Sequence, residues 1–300
     1  MAVEIPYKPV NKVVVDFVDY NGAKFRTASW SVPEGSTRKG KIIFVHGFAE
    51  SHEVYTEFFD NLTSKGYDVF IFEQRGAGET SPGKLVGKTD DFHTFNDLDF
   101  FIKRNYDART DESEKFFLGG HSMGGGISLN YAIRGKYKDY IKGIFVSGPL
   151  IKLHPDSEPN VVVRSLSPVI NFLVPSLKID SKLNYDYITS NDRWKNYIIQ
   201  HDKKLIGTVR QFNDMFVRGE DLLKKDFVSK FSPEIALLVL HGTEDHINYI
   251  KGTDEFVKLL PSAIDKQFYP IEGARHSLFI EREELYEDIL AKVLAFLDSH

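Results

Sequence analysis

A chain of 300 residues, 42% hydrophobic and 27% charged, is long enough to bury one substantial core and too apolar to stay disordered. Its formal net charge of −5, without a clustered Lys/Arg stripe, argues against a partner held through a phosphate backbone, so nucleic acid is not an expected ligand. The absence of cysteine removes disulfides, thiolate zinc sites and a cysteine nucleophile together, leaves the chemistry to oxygen and nitrogen, and fits a cytoplasmic setting.

The opening residues carry Glu4, two prolines and no continuous apolar segment, and do not read as a signal peptide. Two β-branched and aromatic runs follow, residues 13–18 and 25–30. The Asn21-Gly22 pair between them is a hairpin signal, so this opening pair should be antiparallel. Residues 42–46, 69–73, 116–120, 143–147, 235–241 and 266–270 then read as buried strands. Helical periodicity falls between them at 54–64, 95–105, 122–135, 252–260 and 283–297. Strands alternating with helices predict an α/β architecture, a mostly parallel sheet with helices on both faces. The longest apolar run, residues 235–240, is six residues, against the ~20 of a membrane-spanning helix.

One connection is too long. Between residues 147 and 235 lie 87 residues, whereas a parallel crossover needs about a dozen. The surplus predicts an insertion at approximately residues 150–225 of a single domain spanning 1–300. Pro155, Pro159, Pro168 and Pro175 break it into short pieces, and 161–163, Leu166 and 169–174 are nearly all apolar, so it must rest on the main domain, a ligand or a membrane surface. A set of ordinary surface helices is the plainer alternative.

Gly120-His121-Ser122-Met123-Gly124 matches G-x-S-x-G after a predicted strand and before a predicted helix, the context that exposes a nucleophilic serine on a sharp turn. A serine hydroxyl is a poor nucleophile without an imidazole to take its proton. His276, in the loop between the last strand and the last helix, is the expected base. His246, His201 and His300 lie in polar segments, His121 is the variable residue of the turn, and His46 and His241, each ending a strand before glycine, are expected to orient loops. The carboxylate that fixes the imidazole is Asp245, a short turn beyond residues 237–240, with Glu244 as the alternative one residue away. Two backbone donors, the N–H of Met123 and that of Phe48 in His46-Gly47-Phe48, are placed to receive an oxyanion. The mechanism calls for no metal and no cofactor.

With these residues placed, the chain resembles the monoacylglycerol lipase family of the α/β-hydrolases, most of all its yeast and fungal members. The resemblance runs through His46-Gly47-Phe48, Gln74-Arg75-Gly76-Ala77-Gly78, Thr80-Ser81-Pro82-Gly83, Phe95-Asn96-Asp97-Leu98, residues 120–126, Ser147-Gly148-Pro149-Leu150, Leu153-His154-Pro155 and Gly273-Ala274-Arg275-His276-Ser277. It implies a serine esterase that cleaves monoacylglycerol with a Ser122, Asp245, His276 triad, a Phe48/Met123 oxyanion hole, and a mobile apolar cap over an acyl tunnel. Peripheral association with membranes or lipid droplets follows from such a substrate. Lysophospholipase or broad carboxylesterase activity is the nearest alternative, and a non-catalytic lipid receptor on the same fold is the alternative from another class. Ala49 stands where the family usually has a second glycine, and Glu73 where it commonly has aspartate.

Overall fold

The computed structural model describes residues 4–158, 169–201 and 205–300. Its opening hairpin pairs β1 (Val13–Tyr20) antiparallel with β2 (Ala23–Trp30), and the turn places Asn21 and Gly22 at φ of 45° and 74°. Two positive φ values match the right-handed strand twist, which is why Asn-Gly stands here. The chain continues through β3 (Gly40–Val45), α1 (Thr56–Ser64), β4 (Tyr67–Phe72), α2 (Asp91–Asp107), β5 (Phe116–His121), α3 (Met123–Arg134) and β6 (Ile141–Ser147). Between β6 and the next sheet strand lie a short pair, β7 (Lys178–Asp180) and β8 (Ile206–Thr208), with α4 (Asp192–His201), α5 (Val209–Asp221) and α6 (Lys225–Val228). The fold closes with β9 (Ala236–Gly242), α7 (Ile250–Leu259), β10 (Lys266–Ile271) and α8 (Glu283–Ser299).

Eight strands form one sheet in the order β1-β2-β4-β3-β5-β6-β9-β10, antiparallel through β1, β2 and β4 and parallel from β4 to β10. This is the α/β-hydrolase arrangement expected from the sequence. Apolar alternation explains how both faces are covered, since successive strand residues point to opposite sides. Ile42, Phe44, Leu238 and Leu240 pack into one core with Phe58, Phe59, Phe279 and Phe296, on the side of α1 and α8. Ile43, Val45, Leu237 and Val239 pack into the other with Phe101, Ile127 and Phe256, on the side of α2, α3 and α7.

Strand order reverses at β3, whose successor β4 lies on one side and whose later neighbour β5 lies on the other. The crevice beyond the carboxyl ends at such a reversal is where open α/β sheets bind ligands. The loop holding Phe48 and the turn holding Ser122 leave from these two ends.

The segment between β6 and β9 is tied to α2, α3 and the loop before α2 by polar contacts. Arg218 of α5, almost fully buried, donates to Asp91 at 3.1 Å; Asp91 also takes a two-pronged contact from Arg134 at 2.8 and 2.9 Å. Asn130 of α3 donates to the Arg218 carbonyl at 3.1 Å, and Thr208 to the Gly87 carbonyl at 2.7 Å. The apolar residues 161–163 and Leu166 lie outside the described residues. Within the described part, Phe172 is 84% exposed and Leu173 67%, with Val169, Val174 and Leu177 also exposed.

Candidate active site

Ser122 sits between β5 and α3 at φ 51°, ψ −117°, a conformation a non-glycine residue holds only when its surroundings impose it, at a cost of about 1–3 kcal/mol. The constraint comes from both sides. Its N–H donates to the Ser147 carbonyl at 3.0 Å, and its own carbonyl accepts from Gly126 N at 3.0 Å and Leu150 N at 2.9 Å. The neighbouring glycines are steric requirements. A Cβ on Gly124 would lie 2.0 Å from the Val45 carbonyl oxygen and 2.5 Å from that of His46, and one on Gly120 would lie 2.6 Å from the Gly124 oxygen. Close approach at Gly124 presses the first turn of α3 against the end of β3, so the loop bearing Phe48 and the N–H of Met123 share one site. The amino end of α3 adds its positive dipole there.

His276 lies in the loop after β10 and Asp245 in the loop after β9. The structure brings them together, with His276 Nδ1 2.8 Å from Asp245 Oδ2 and both residues buried. Because the carboxylate can only accept, Nδ1 carries the proton and Nε2 is left with a free lone pair, the tautomer a base requires. Gly148, at φ 47° after β6, permits the approach: a Cβ there would lie 3.2 Å from Asp245 Oδ2 and 3.3 Å from His276 Nδ1. The His276 ring centroid stands 4.7 Å from that of His121, the residue before the serine.

Asp245 is held by more than its histidine. Its Oδ1 accepts from the backbone N–H groups of Ile247 and Asn248, each at 2.8 Å, and its Oδ2 lies 3.2 Å from His241 Nε2. Burial pushes the carboxyl up, but the His276 and His241 rings, through their charge and their hydrogen bonds, outweigh it and hold the group well below the usual carboxylate range. Glu244 takes no such place; its side chain is exposed, 3.7 Å from His246.

The other histidines divide as their positions suggested. His241 Nε2 faces two acceptors, Asp245 and the Asn248 carbonyl at 3.1 Å, while Nδ1 meets Thr253 Oγ1 at 2.9 Å, so it orients the aspartate. His46 accepts from Gln74 N at 2.8 Å and contacts the Gly47 carbonyl at 2.7 Å, fixing the turn before Phe48. Burial first, and then the neighbouring His276, drive the His121 imidazole well below its ordinary pKa; it bridges Ser147 and Ser277 as a neutral ring. His300 pairs with Asp265 at 3.1 Å and His201 stacks on Tyr197, both away from the serine.

Some contributors have no signature in the sequence. Glu50 accepts from Gly47 N at 2.6 Å and from the Tyr55 hydroxyl, pinning the loop that carries Phe48. Its nearness to H-G-F was the only available signal. In the same loop Ala49 holds φ 56°, a left-handed conformation that glycine adopts without strain. Glu73 is buried, pairing with Arg26 at 3.0 Å and accepting from Glu79 N at 2.7 Å, so it braces a turn away from the serine. Tyr187 and Ile188 offer carbonyls to the N–H groups of His276 and Ser277 at 3.3 and 2.7 Å, so the inserted segment supports the histidine loop.

Fold and site together define an α/β-hydrolase with a G-x-S-x-G elbow serine and a buried histidine–aspartate pair. Residues 36–283 match the family model described as serine aminopeptidase, S33. Monoglyceride lipase of Saccharomyces cerevisiae is 36% identical over 98% of this chain and 96% of its own, and a putative monoglyceride lipase of Schizosaccharomyces pombe is 32% identical over 87% of this chain and 68% of its own. A crystal structure of a soluble variant of the Saccharomyces cerevisiae enzyme with a substrate analogue superposes at a TM-score of 0.94, covering 99% of both chains. The chain belongs to the monoglyceride lipase family of serine hydrolases.

Proposed function

We propose that this enzyme hydrolyses monoacylglycerol to free fatty acid and glycerol through an acyl-enzyme on Ser122. The observation that carries the reading is the Asp245–His276 hydrogen bond in a chain that aligns end to end with a monoglyceride lipase. His276 Nε2 takes the Ser122 hydroxyl proton as Oγ attacks the ester carbonyl, then gives it to the departing glycerol oxygen. Water, activated by the same nitrogen, releases the fatty acid and restores the serine. Asp245 stays ionised and stabilises the imidazolium, and the N–H groups of Phe48 and Met123 receive the oxyanion. No step calls for a metal or cofactor.

Residues 150–225 form the cap in this reading. Phe212 of α5 packs on Phe48 at 5.0 Å between ring centroids, which puts aromatic surface beside the proposed oxyanion loop. Each buried methylene of an acyl chain contributes about 0.8 kcal/mol, so an apolar path under the cap favours one long chain. The substrate partitions into lipid, and the exposed Phe172 and Leu173 are suited to a shallow contact with a membrane or droplet surface. Among the described residues no helix is long and apolar enough to cross a membrane. A cytoplasmic setting agrees with a chain free of cysteine. Replacing both Phe172 and Leu173 with Asp should weaken liposome sedimentation severalfold and leave hydrolysis of a short soluble ester intact; equal loss of both would make the patch structural.

Product release from mono-, di- and triacylglycerols and a lysophospholipid tests the substrate. Turnover concentrated on monoacylglycerol is expected. Comparable rates across the panel would make this a general lipid esterase, and stoichiometric binding without turnover would make it a receptor.

A further inference from the structure

Two histidines that ester cleavage does not use stand with a carboxylate where the chain leaves β6 and where the loop after β9 returns. His246 Nδ1 lies 2.7 Å from Asp156 Oδ2, His154 Nδ1 lies 3.5 Å from the same oxygen, and ligand atoms of all three residues fall within 4.8 Å of one another. Their side chains are 21–47% exposed, so a hydrated cation reaches them without unfolding the chain. Backbone contacts hold the two segments in place: Leu153 bridges Asn248, His154 N donates to the Ile247 carbonyl at 2.9 Å, and Tyr249 N donates to the Lys152 carbonyl at 2.7 Å. Tyr187 stacks on the His246 ring, and Tyr249 meets the His154 ring edge-on, so both imidazoles are oriented in advance.

We propose that His154, Asp156 and His246 bind a divalent transition-metal cation of the zinc class, at a site separate from the reactive serine. Two imidazoles with one carboxylate suit zinc and its neighbours rather than magnesium or calcium, which take oxygen ligands, and water completes the shell. His154 Nδ1 is the unprotonated nitrogen, since it accepts from Asp156 N at 3.2 Å, and metal binding replaces that long hydrogen bond with a metal–nitrogen bond. On metal binding the proton on His246 Nδ1 moves to Nε2, where Glu244 Oε2 stands 3.7 Å away as the outer carboxylate that commonly orients a metal-bound imidazole. The second such cluster, His52, Glu53 and Glu73, is different: the Arg26 guanidinium already occupies the cation's position, 2.8 Å from Glu53 and 3.0 Å from Glu73. A bound ion at the first cluster would cross-link the start of the inserted segment to the loop carrying Asp245.

Calorimetric titration of zinc chloride into the full chain tests this, with thermal melts alongside. One zinc per chain is expected. His246→Gln and Asp156→Asn should each weaken binding about tenfold or more, and His52→Gln should leave it unchanged. Zinc should raise the melting temperature of the unsubstituted chain and not that of His246→Gln. Ser122→Ala should bind zinc normally, which keeps this result independent of the hydrolytic reading, and Asp156→Asn should retain short-ester hydrolysis, which shows that it folds. No saturable binding, or one affinity shared by the wild-type chain, His154→Gln, Asp156→Asn and His246→Gln, would overturn the proposal.

Discussion

Asp245 combines two roles that separate experimentally. As the partner of His276 Nδ1 it fixes a tautomer, and an amide in its place would offer an N–H where an acceptor is needed; Asp245→Asn should therefore lower kcat on the order of 10⁴-fold with the fold retained. As a carboxylate held far below its ordinary range, it also links stability to pH. An unfolded aspartate binds its proton near pH 4, while the folded one stays ionised well below that, so its stabilising contribution is complete above about pH 4 and is lost as pH falls through the folded value. Urea midpoints taken below about pH 4 should decline less steeply in Asp245→Asn than in the unsubstituted chain. Ala49 calls for the opposite kind of change. Its left-handed φ costs about 1 kcal/mol that glycine avoids, so Ala49→Gly should raise the melting temperature by roughly 2 °C, and a decrease would show that the Cβ makes a compensating contact. At this scale the serine was legible because G-x-S-x-G between strand and helix has a steric reason for every position. The carboxylate was legible only to within one residue. Pattern cannot say which of Glu244 and Asp245 turns inward, a choice made by the N–H groups of Ile247 and Asn248.

Among elements, the union of α3 with the end of β3 is the contact on which the site depends. A methyl group on Gly124 would enter the Val45 carbonyl, so Gly124→Ala should cost about 3 kcal/mol or more and reduce ester turnover with it; near-wild-type denaturation curves would show that the helix can shift at no cost. Strands were legible here because a sheet covered on both faces leaves continuous apolar runs, as in β5 and β9, where every residue is buried. Helix ends were less so. Apolar periodicity places the start of α2 at residue 95, yet the helix begins at Asp91, because Asp90 accepts from His93 N at 2.8 Å and caps a polar first turn. Likewise, residues 52–55 form a tight 3-10 turn ahead of α1 that helical spacing alone merges with it.

For the molecule as a whole, the mostly parallel sheet followed from the alternation of strands and helices, whereas the strand order with its reversal at β3 did not, and the inserted segment showed little beyond its length, its prolines and its apolar stretches. Its attachments are polar and distant in sequence, Arg218 to Asp91 and Tyr187 to His276, and no periodicity records them. They anchor the segment to the first turn of α2 and let it support the histidine loop. In the proposed reaction hydrolysis rests on the Ser122 oxygen, held on the turn after β5, and on His276 of the loop after β10 as its base. Release of fatty acid from a monoacylglycerol, followed for the unsubstituted chain and for Ser122→Ala of equal melting temperature, would decide the matter. A loss on the order of 10⁴-fold or more is expected. Retention of turnover within about tenfold would contradict an acyl-enzyme on Ser122 and place the chemistry elsewhere.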